Sequence, residues 1–258
     1  MIIQSLARPS ALNADRLFGQ VAEILGVAII SGQYKAGELL PNEDALKDKI
    51  TVSRSAYREA VKILTAKGLV EARPRSGTRV APRSGWNLID PDVLTWHLTA
   101  DPNEDFIRDL FELRRFIEPS AARLAAQRRT DADMARIDVA LAGMETAKPY
   151  TEANIRADVS FHEAIFAATH NRTLDCLANV VISTIQWSML LQQTKNEAAF
   201  DVALSDHRRV RNAIFAGDAD QAGAVMTTLV LDSLRDTLVQ LSQNHLFTRS
   251  GAVINHTS

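Results

Sequence analysis

Three side chains in the C-terminal half of the chain have the types and spacing of ligands for a metal ion or a small anion. Asp158 and His162 are four residues apart in a segment of helical periodicity, so both project from one helical face. His207 lies in a later helical segment, beside Val210 and Ile214. Imidazole nitrogens and carboxylate oxygens are typical ligands of zinc and related divalent ions. The three groups could equally bind an effector directly, or form a satisfied polar cluster without a ligand.

An arginine on a predicted inner helical face suggests anion binding. Arg114 lies four residues after Leu110 and three before Ile117, within the apolar stripe of a long predicted helix. A buried guanidinium requires a partner. Either Glu118, one turn later, or the carboxylate of a bound molecule would supply one. Two more candidates for the wall of such a pocket are Arg211 and Trp187. A surface arginine and a core tryptophan are the alternatives for these two.

A different chemistry is encoded by residues 51–66. Ser53 is a suitable N-cap, because its hydroxyl can accept a hydrogen bond from a first-turn amide. Arg54, Arg58 and Lys62 follow at intervals of four and share one helical face. The opposite face is apolar and consists of Tyr57, Ala60, Val61 and Leu64. Arginines at the start of a helix can bind guanine in the major groove, whereas a solvated surface helix is the simpler alternative.

The neighbouring segments favour DNA binding. An amphipathic helix is predicted over 12–31, and a short helix over 43–49 ends about four residues before Ser53, which is a helix-turn-helix spacing. A β-hairpin is predicted over 69–81. In such a wing Arg75 would reach phosphate or the minor groove, and Gly77 would allow close approach of the backbone.

Charge divides the chain into two parts. Residues 1–85 hold 13 Lys and Arg against 8 Asp and Glu, a net charge of +5. Residues 86–258 hold 16 against 23, a net charge of −7, so the total of −2 conceals a basic N-terminal part. A basic module is the electrostatic signature of a partner with a phosphate backbone.

The cellular compartment predicted from these features is the cytoplasm. Cys176 is the single cysteine, so no intrachain disulfide can form. The first residues lack the basic start and apolar core of a signal peptide, and no run of 18 apolar residues predicts a membrane span.

The periodicity beyond the hairpin predicts helices and no further strand, so the fold class is mainly α. We predict a winged helix-turn-helix of three helices plus a β-hairpin wing, joined to an all-α bundle of six or seven helices. The predicted domains are a DNA-binding domain over 1–81, a linker with a short helix over 82–102, an effector-binding and dimerisation bundle over 103–244, and a polar tail over 245–258. The first long helix of the predicted bundle ends near 128. The later helices are predicted over 130–144, 152–169, 172–193, 200–216 and 219–243.

The N-terminal part resembles the winged-helix domain of the GntR family of bacterial transcription regulators. The matching residues are Gly37-Glu38-Leu39-Leu40-Pro41-Asn42-Glu43, Val52-Ser53-Arg54, Arg58-Glu59-Ala60, Gly68-Leu69-Val70 and Arg75-Ser76-Gly77-Thr78-Arg79-Val80. The resemblance implies that Arg54 and Arg58 read bases, while Lys62 shares their face and Arg75, Gly77 and Thr78 lie in the wing. Asp44 departs from the pattern, since many relatives carry a basic DNA contact there.

The C-terminal part resembles the FCD ligand-binding domain, which defines the FadR subfamily of these regulators. The matching residues are Leu113-Arg114, Glu118-Pro119, Leu124-Ala125-Ala126, Asp158, Phe161-His162, His170-Asn171, His207, Ala213-Ile214 and Gly217-Asp218. The resemblance implies that Asp158, His162 and His207 occupy the first three of four metal-ligand positions. The fourth, a histidine in the family, is Leu229 here. Residues 86–96 also resemble the linker of regulators of D-galactonate and related sugar-acid catabolism.

These observations predict a homodimeric, ligand-responsive regulator, a repressor that binds double-stranded operator DNA and is released by a sugar acid. An effector of another small-carboxylate type, bound through a divalent metal such as Zn²⁺, is an alternative. A metal-dependent hydrolytic enzyme is a second alternative, but no nucleophile, general base or oxyanion donor accompanies the three ligands. A purely architectural DNA binder is a third, against which the polar pocket argues.

Overall fold

The computed structural model describes residues 14–42, 53–73, 77–100, 102–191 and 197–251. The chain divides into two compact units, Met1–Pro102 and Asn103–Ser258. The first unit combines helices with one small sheet, and the described part of the second is helical throughout. The helix predicted over 43–49 lies outside the described residues.

The first unit has three helices and a two-stranded sheet among its described residues. In chain order they are α1 (Ala14–Ile30), α2 (Arg54–Ala66), β1 (Val70–Arg73), β2 (Gly77–Val80) and α3 (Pro91–Ala100), with a 3₁₀ turn at Arg83–Gly85. The strands are antiparallel, with Val70 opposite Val80 and Arg73 opposite Gly77. The segment before α2 joins the other edge of β2, since the Leu40 amide donates to the Thr78 carbonyl over 2.8 Å. This arrangement confirms the predicted hairpin.

The core of the first unit forms where α1 packs against α2 and α3. Its fully buried residues include Leu25 and Ile29 from α1 and Leu64 from α2, while Trp96 of α3 completes it. The predicted amphipathic helix is confirmed as α1, whose buried face consists of Val21, Ala22, Leu25, Ile29 and Ile30, while Ile24 is 43% exposed.

The segment after the hairpin is tied to the end of α2. Lys67, the C-cap of α2, has its ammonium 2.6 Å from Asp90 and 2.8 Å from Asp92. Burial would lower the pKa of Lys67, but hydrogen bonds to the two carboxylates raise it. Gly68 has a left-handed φ of 75°, and a Cβ there would lie 2.1 Å from the carbonyl oxygen of Gly85. The C-terminus of α2 is therefore fixed against this segment by charge and by close backbone packing.

The second unit contains seven helices in its described residues. They are α4 (Glu104–Arg128), α5 (Asp131–Thr146), α6 (Glu152–Ala168), α7 (Arg172–Cys176), α8 (Ala178–Leu191), α9 (Glu197–Ala216) and α10 (Ala219–Gly251). The single helix predicted over 172–193 is wrong, since Leu177 separates α7 from α8. Among the described residues, Arg172–Leu191 is long and apolar enough to cross a membrane, with a mean hydropathy of 1.4. Val180, Val181 and Ile185 in it are buried, as in the core helix of a globular protein.

Side-chain caps fix several helix starts. Thr130 is the N-cap of α5 and forms a reciprocal capping box with Asp133. At α10, the amide of Gln221 donates to Asp218 Oδ1 over 2.9 Å. The N-cap of α4 is Asn103, whose side chain accepts from the Phe106 amide.

Candidate functional site

A cavity of about 200 Å³ lies inside the second unit. Its walls come from α4, α5, α6, α8, α9 and α10, together with Tyr150 in the loop before α6. Arg114, Asp158, His162 and His207 all line it. Four side chains that were predicted to act together, from three separate helices, therefore meet at one cavity.

Asp158, His162 and His207 are arranged around a common point. Asp158 Oδ1 lies 3.4 Å from His162 Nε2 and 3.5 Å from His207 Nε2. One ligand atom from each residue falls within 4.8 Å of the others. These separations are longer than ordinary hydrogen bonds and leave room for a group between the three atoms.

The outer nitrogens of both histidines are held by acceptors. His207 Nδ1 lies 2.7 Å from the Ala203 carbonyl oxygen, which can only accept, so Nδ1 carries the proton and Nε2 presents a lone pair. His162 Nδ1 lies 2.8 Å from Glu118 Oε2. Outer-shell acceptors of this kind orient metal-binding histidines. The tautomer of His207 is therefore suited to accept a cation or a proton from the cavity.

Arg114 and Glu118 continue this chain of contacts into α4. Arg114 Nε donates to Glu118 Oε1 over 2.6 Å, and both side chains are almost completely buried. The Arg114 guanidinium also lies over the Phe111 ring, 4.6 Å from its centroid. Its Nη1 is buried and has no hydrogen-bond partner among the described residues. Glu118 is therefore the internal partner of Arg114, and one buried donor, Nη1, is left over.

Charge coupling sets the protonation of the cluster. Burial would raise the pKa of Glu118, but the charges of Arg114 and His162 lower it to about 2. Burial would lower the pKa of His162, but the negative charges of Glu118 and Asp158 raise it to about 9. Burial likewise opposes ionisation of Asp158, yet the polar and charge interactions with His162 and His207 lower its pKa. At neutral pH and without a ligand, His162 is an imidazolium between two carboxylates.

The donor set fits a divalent cation of the zinc type. Asp158 Oδ1 and His207 Nε2 are buried and without a hydrogen-bond partner among the described residues, and they lie 3.5 Å from each other. Leu229, at the family's fourth ligand position, lines the same cavity and is 6% exposed. Its side chain cannot ligate, so the protein supplies three ligands, and a water or an effector oxygen would supply the fourth.

The structure places two of the predicted pocket residues elsewhere. Arg211 makes a two-point ion pair with Asp138, with Nε 2.6 Å and Nη2 3.0 Å from its carboxylate oxygens, and its guanidinium lies over Phe215. Trp187 is half-buried, while its neighbours Ser188 and Met189 line the cavity. Both placements correct the expectation of pocket contact. Arg211 lies one helical turn after His207 but pairs with Asp138 outside the cavity. Trp187 lies on a face of α8 that does not line the cavity.

Several cavity residues were not predicted. Asn154 is fully buried one turn before Asp158 on α6, and the spacing 154, 158, 162 carries the signal for it. Asp232 and Asp236, one turn apart on α10, also line the cavity. Tyr150 is a further cavity residue that was not predicted. It has a left-handed φ of 59°, and no pattern in the sequence indicates this conformation.

The predicted DNA-contacting helix is α2. Ser53 caps it, since its hydroxyl accepts from the Ala56 amide over 3.2 Å. The side chains of Arg54 and Arg58 are exposed, and Lys62 pairs with Glu59 at 2.7 Å on the same surface. The opposite face is buried through Tyr57, Ala60, Val61 and Leu64. The predicted division of the helix into basic and apolar faces is confirmed.

The predicted wing contacts are only partly described. Gly77 opens β2 with a left-handed φ of 79° and is exposed, and Thr78 after it is half-buried. Arg75 lies outside the described residues. A Cβ on Gly77 would lie 2.9 Å from the Leu39 side chain, which gives a packing reason for glycine here besides approach to DNA.

Two family models match the chain. Residues 17–80 match the model described as bacterial regulatory proteins, gntR family. Residues 109–232 match the FCD domain model. The first match contains α2 and the hairpin, and the second contains Arg114 and the three potential metal ligands.

Relatives of known and unknown role match along most of the chain. The galactonate operon transcriptional repressor of Escherichia coli is 36% identical over 82% of this chain and 92% of its own length. The regulator LutR of Bacillus subtilis is 34% identical over 77% and 90%. A solved structure of Lar, which controls expression of the agr system in Listeria monocytogenes, has a TM-score of 0.62 over 90% of this chain and 99% of its own, at 15% identity, a likeness of fold. The chain belongs to the GntR family of bacterial regulatory proteins, as a ligand-responsive DNA-binding regulator with an FCD domain and not as an enzyme.

Proposed function

We propose that this regulator is a cytoplasmic, homodimeric repressor that leaves its operator when a sugar acid of the D-galactonate type fills the cavity of the second unit. The observation that carries the proposal is the buried Arg114 Nη1, without a partner, on the wall shared with Asp158, His162 and His207. Similarity to the galactonate operon repressor supports the choice of acid.

The proposed effector contact is a carboxylate on Arg114. A guanidinium binds a carboxylate through parallel N–H donors, and Nε of Arg114 is already used by Glu118. Nη1 would then donate to the effector, and in the metal-free cavity the imidazolium of His162 would add positive charge nearby. A bound anion would order α4 and α6. It would favour the DNA-free conformation of the regulator over the DNA-bound one, provided that the DNA-free conformation has the higher affinity for the effector.

The proposed operator contacts lie on α2 and the wing. Arg54 and Arg58 would read bases from the start of α2, while Ser53 and Lys62 would bind phosphate. Gly77, Thr78 and Arg75 would approach the backbone from the wing. A dimer would present two such helices to adjacent major grooves of a near-palindromic site.

We propose in addition that Asp158, His162 and His207 hold a divalent metal, Zn²⁺ or a similar ion. A metal there would act as a Lewis acid toward the effector carboxylate. Asp158 and the Nε2 atoms of both histidines would be its ligands, and Glu118 and the Ala203 carbonyl would orient the rings.

Zinc binding is expected to release protons. Because the pKa of His162 is about 9 in the metal-free protein, its imidazole must lose a proton before Nε2 can ligate at pH 7. The zinc affinity should therefore rise as the pH increases and level off above about 9. Calorimetric titration with ZnCl₂ in buffers of different ionisation enthalpy measures the released protons, and about one per zinc is expected at pH 7. Zinc binding without proton release would remove His162 from the ligand set.

Effector release is tested on the operator itself. A DNA fragment from the region upstream of the protein's own gene is titrated with the full-length chain in a gel-shift assay, with and without D-galactonate. We expect the sugar acid to weaken binding at least tenfold, while L-lactate at the same concentration, as a short monocarboxylate control, leaves it unchanged. An operator complex insensitive to every C4–C6 sugar acid would reject the proposed effector class.

A further inference from the structure

A groove of about 800 Å³ runs between α5 and α6, on a side of α6 that does not line the cavity. Small side chains supply most of its lining, namely Ala135 and Ala140 of α5 and Ala157, Ser160, Ala164 and Ala167 of α6. Val139, the largest aliphatic side chain of the lining, is 74% exposed. An exposed apolar surface of this kind is typical of a contact with another protein.

The two helices that form the groove already pack closely through small residues. A Cβ on Gly143 of α5 would lie 3.1 Å from the Cβ of Ala157 on α6. The distance between two helix axes depends on the size of the side chains at their contact. Since the exposed side of the groove is equally poor in large side chains, a further helix could approach it at short range.

Three charged side chains border the groove, Arg136, Arg156 and Glu163. Arg136 pairs with the buried Asp133, so its charge is compensated within its own helix. Arg156 pairs with Glu152, but the two side chains are 65% and 86% exposed, so water screens this pair. Glu163 is exposed and has no ion pair among the described residues. One carboxylate and one weakly held guanidinium are therefore available to a partner.

The positions of these two charges along α6 are complementary to themselves. Arg156 lies four residues before Ser160, and Glu163 lies three residues after it. At 1.5 Å per residue, the two are about 6 and 4.5 Å from Ser160 along the helix axis. If two copies of α6 ran antiparallel and crossed at Ser160, Arg156 of each would lie within about 1.5 Å, along the axis, of Glu163 of the other. A two-fold axis forms such a contact twice.

We infer, on the basis of the proposed homodimer, that this groove is the dimer interface of the second unit and that the same groove of a second copy occupies it. The two α6 helices pair antiparallel around Ser160, and two ion pairs between Arg156 and Glu163 flank the axis. Asp158 and His162 line the cavity from the same helix. One side of α6 therefore contributes to the effector cavity, while another side contacts the second copy.

The test uses two charge-reversed variants of the full-length protein, Arg156→Glu and Glu163→Arg. Each variant alone turns both ion pairs into like-charge pairs, so the dimer dissociation constant measured by sedimentation equilibrium should rise at least tenfold. When the two variants are mixed in equal amounts, they should form a heterodimer with a dissociation constant within about threefold of the wild type. In that heterodimer each side chain at position 156 again faces the opposite charge at position 163.

A third variant, Ser160→Arg, places two guanidinium groups on the proposed axis. It should be monomeric at concentrations at which the wild type is dimeric. The control is Ser120→Arg, the same substitution at an exposed position of α4 that does not line the groove, and it should stay dimeric. Thermal unfolding of every variant verifies that it is folded.

The possible outcomes separate the interface from the oligomeric state. A wild-type dimer that is unchanged in Ser160→Arg and in both charge-reversed variants would overturn the inference and leave the proposed homodimer to another surface. Weaker single variants that do not recover on mixing would overturn the antiparallel pairing of Arg156 with Glu163. A monomeric wild type would reject the proposed homodimer, and the inference with it.

Discussion

Replacing Arg58 by alanine is expected to weaken specific operator binding by about 1–3 kcal/mol, or roughly 5- to 150-fold in Kd. Arg58 is exposed on α2, one turn after Arg54 and opposite the buried Ala60 and Leu64. Its truncation removes a bidentate donor to a base edge but leaves the core of the first unit intact. The loss should therefore be accompanied by relaxed preference at one base position.

Lys62→Ala is the matched control for this prediction. Lys62 lies on the same face, but its ammonium is paired with Glu59 and is 71% exposed, as expected for a phosphate contact or a solvated charge. Its truncation should weaken binding to all sequences alike and lower the salt dependence by about one counterion. Gel shifts on the operator and on a scrambled fragment separate the two patterns. A uniform loss for Arg58→Ala on both fragments would make Arg58 a phosphate contact.

The two faces of α2 were predictable from the sequence because a local rule governs each. Ser53 caps through its own hydroxyl, and the period of the apolar residues fixes which side is buried. In α4 the same reasoning placed Leu110 and Ile117 inward; Leu110 is buried, but Ile117 is only half-buried. The buried stripe continues through Phe111, Arg114, Glu118 and Ala122.

The stripe of α4 is displaced because a buried ion pair occupies its centre. Arg114 and Glu118 are almost fully buried only because each compensates the other and His162 adds a third charge. An apolar pattern cannot predict this, since it assigns charged residues to the surface. The family resemblance identified Asp158, His162 and His207, but their distances depend on how α6 and α9 each pack against α4. Asp232 and Asp236 were not predicted as cavity residues, because the rest of the cavity lining belongs mostly to other helices.

Replacing Arg114 by alanine is expected to abolish release of the operator by the effector while leaving operator binding itself within about twofold. The side chain is the proposed donor to the effector carboxylate, and it lies in a different unit from α2. The substitution also removes the partner of Glu118, which would remain ionised and buried. Breaking such a pair destabilises a protein by about 3–5 kcal/mol, so a lower Tm of the second unit is expected as well.

The double variant Arg114→Gln with Glu118→Gln separates the two effects. It removes both charges together and allows the two amides to hydrogen-bond across the i,i+4 spacing of the wild-type pair. Its Tm should recover most of the loss seen in Arg114→Ala, because no uncompensated carboxylate remains buried. Effector release should nevertheless stay absent, since a neutral amide cannot replace the charge-assisted donor. Gel shifts with D-galactonate measure this outcome. If a stably folded double variant released its operator like the wild type, Arg114 would be a structural residue of the core, and the effector carboxylate would have to bind elsewhere in the cavity.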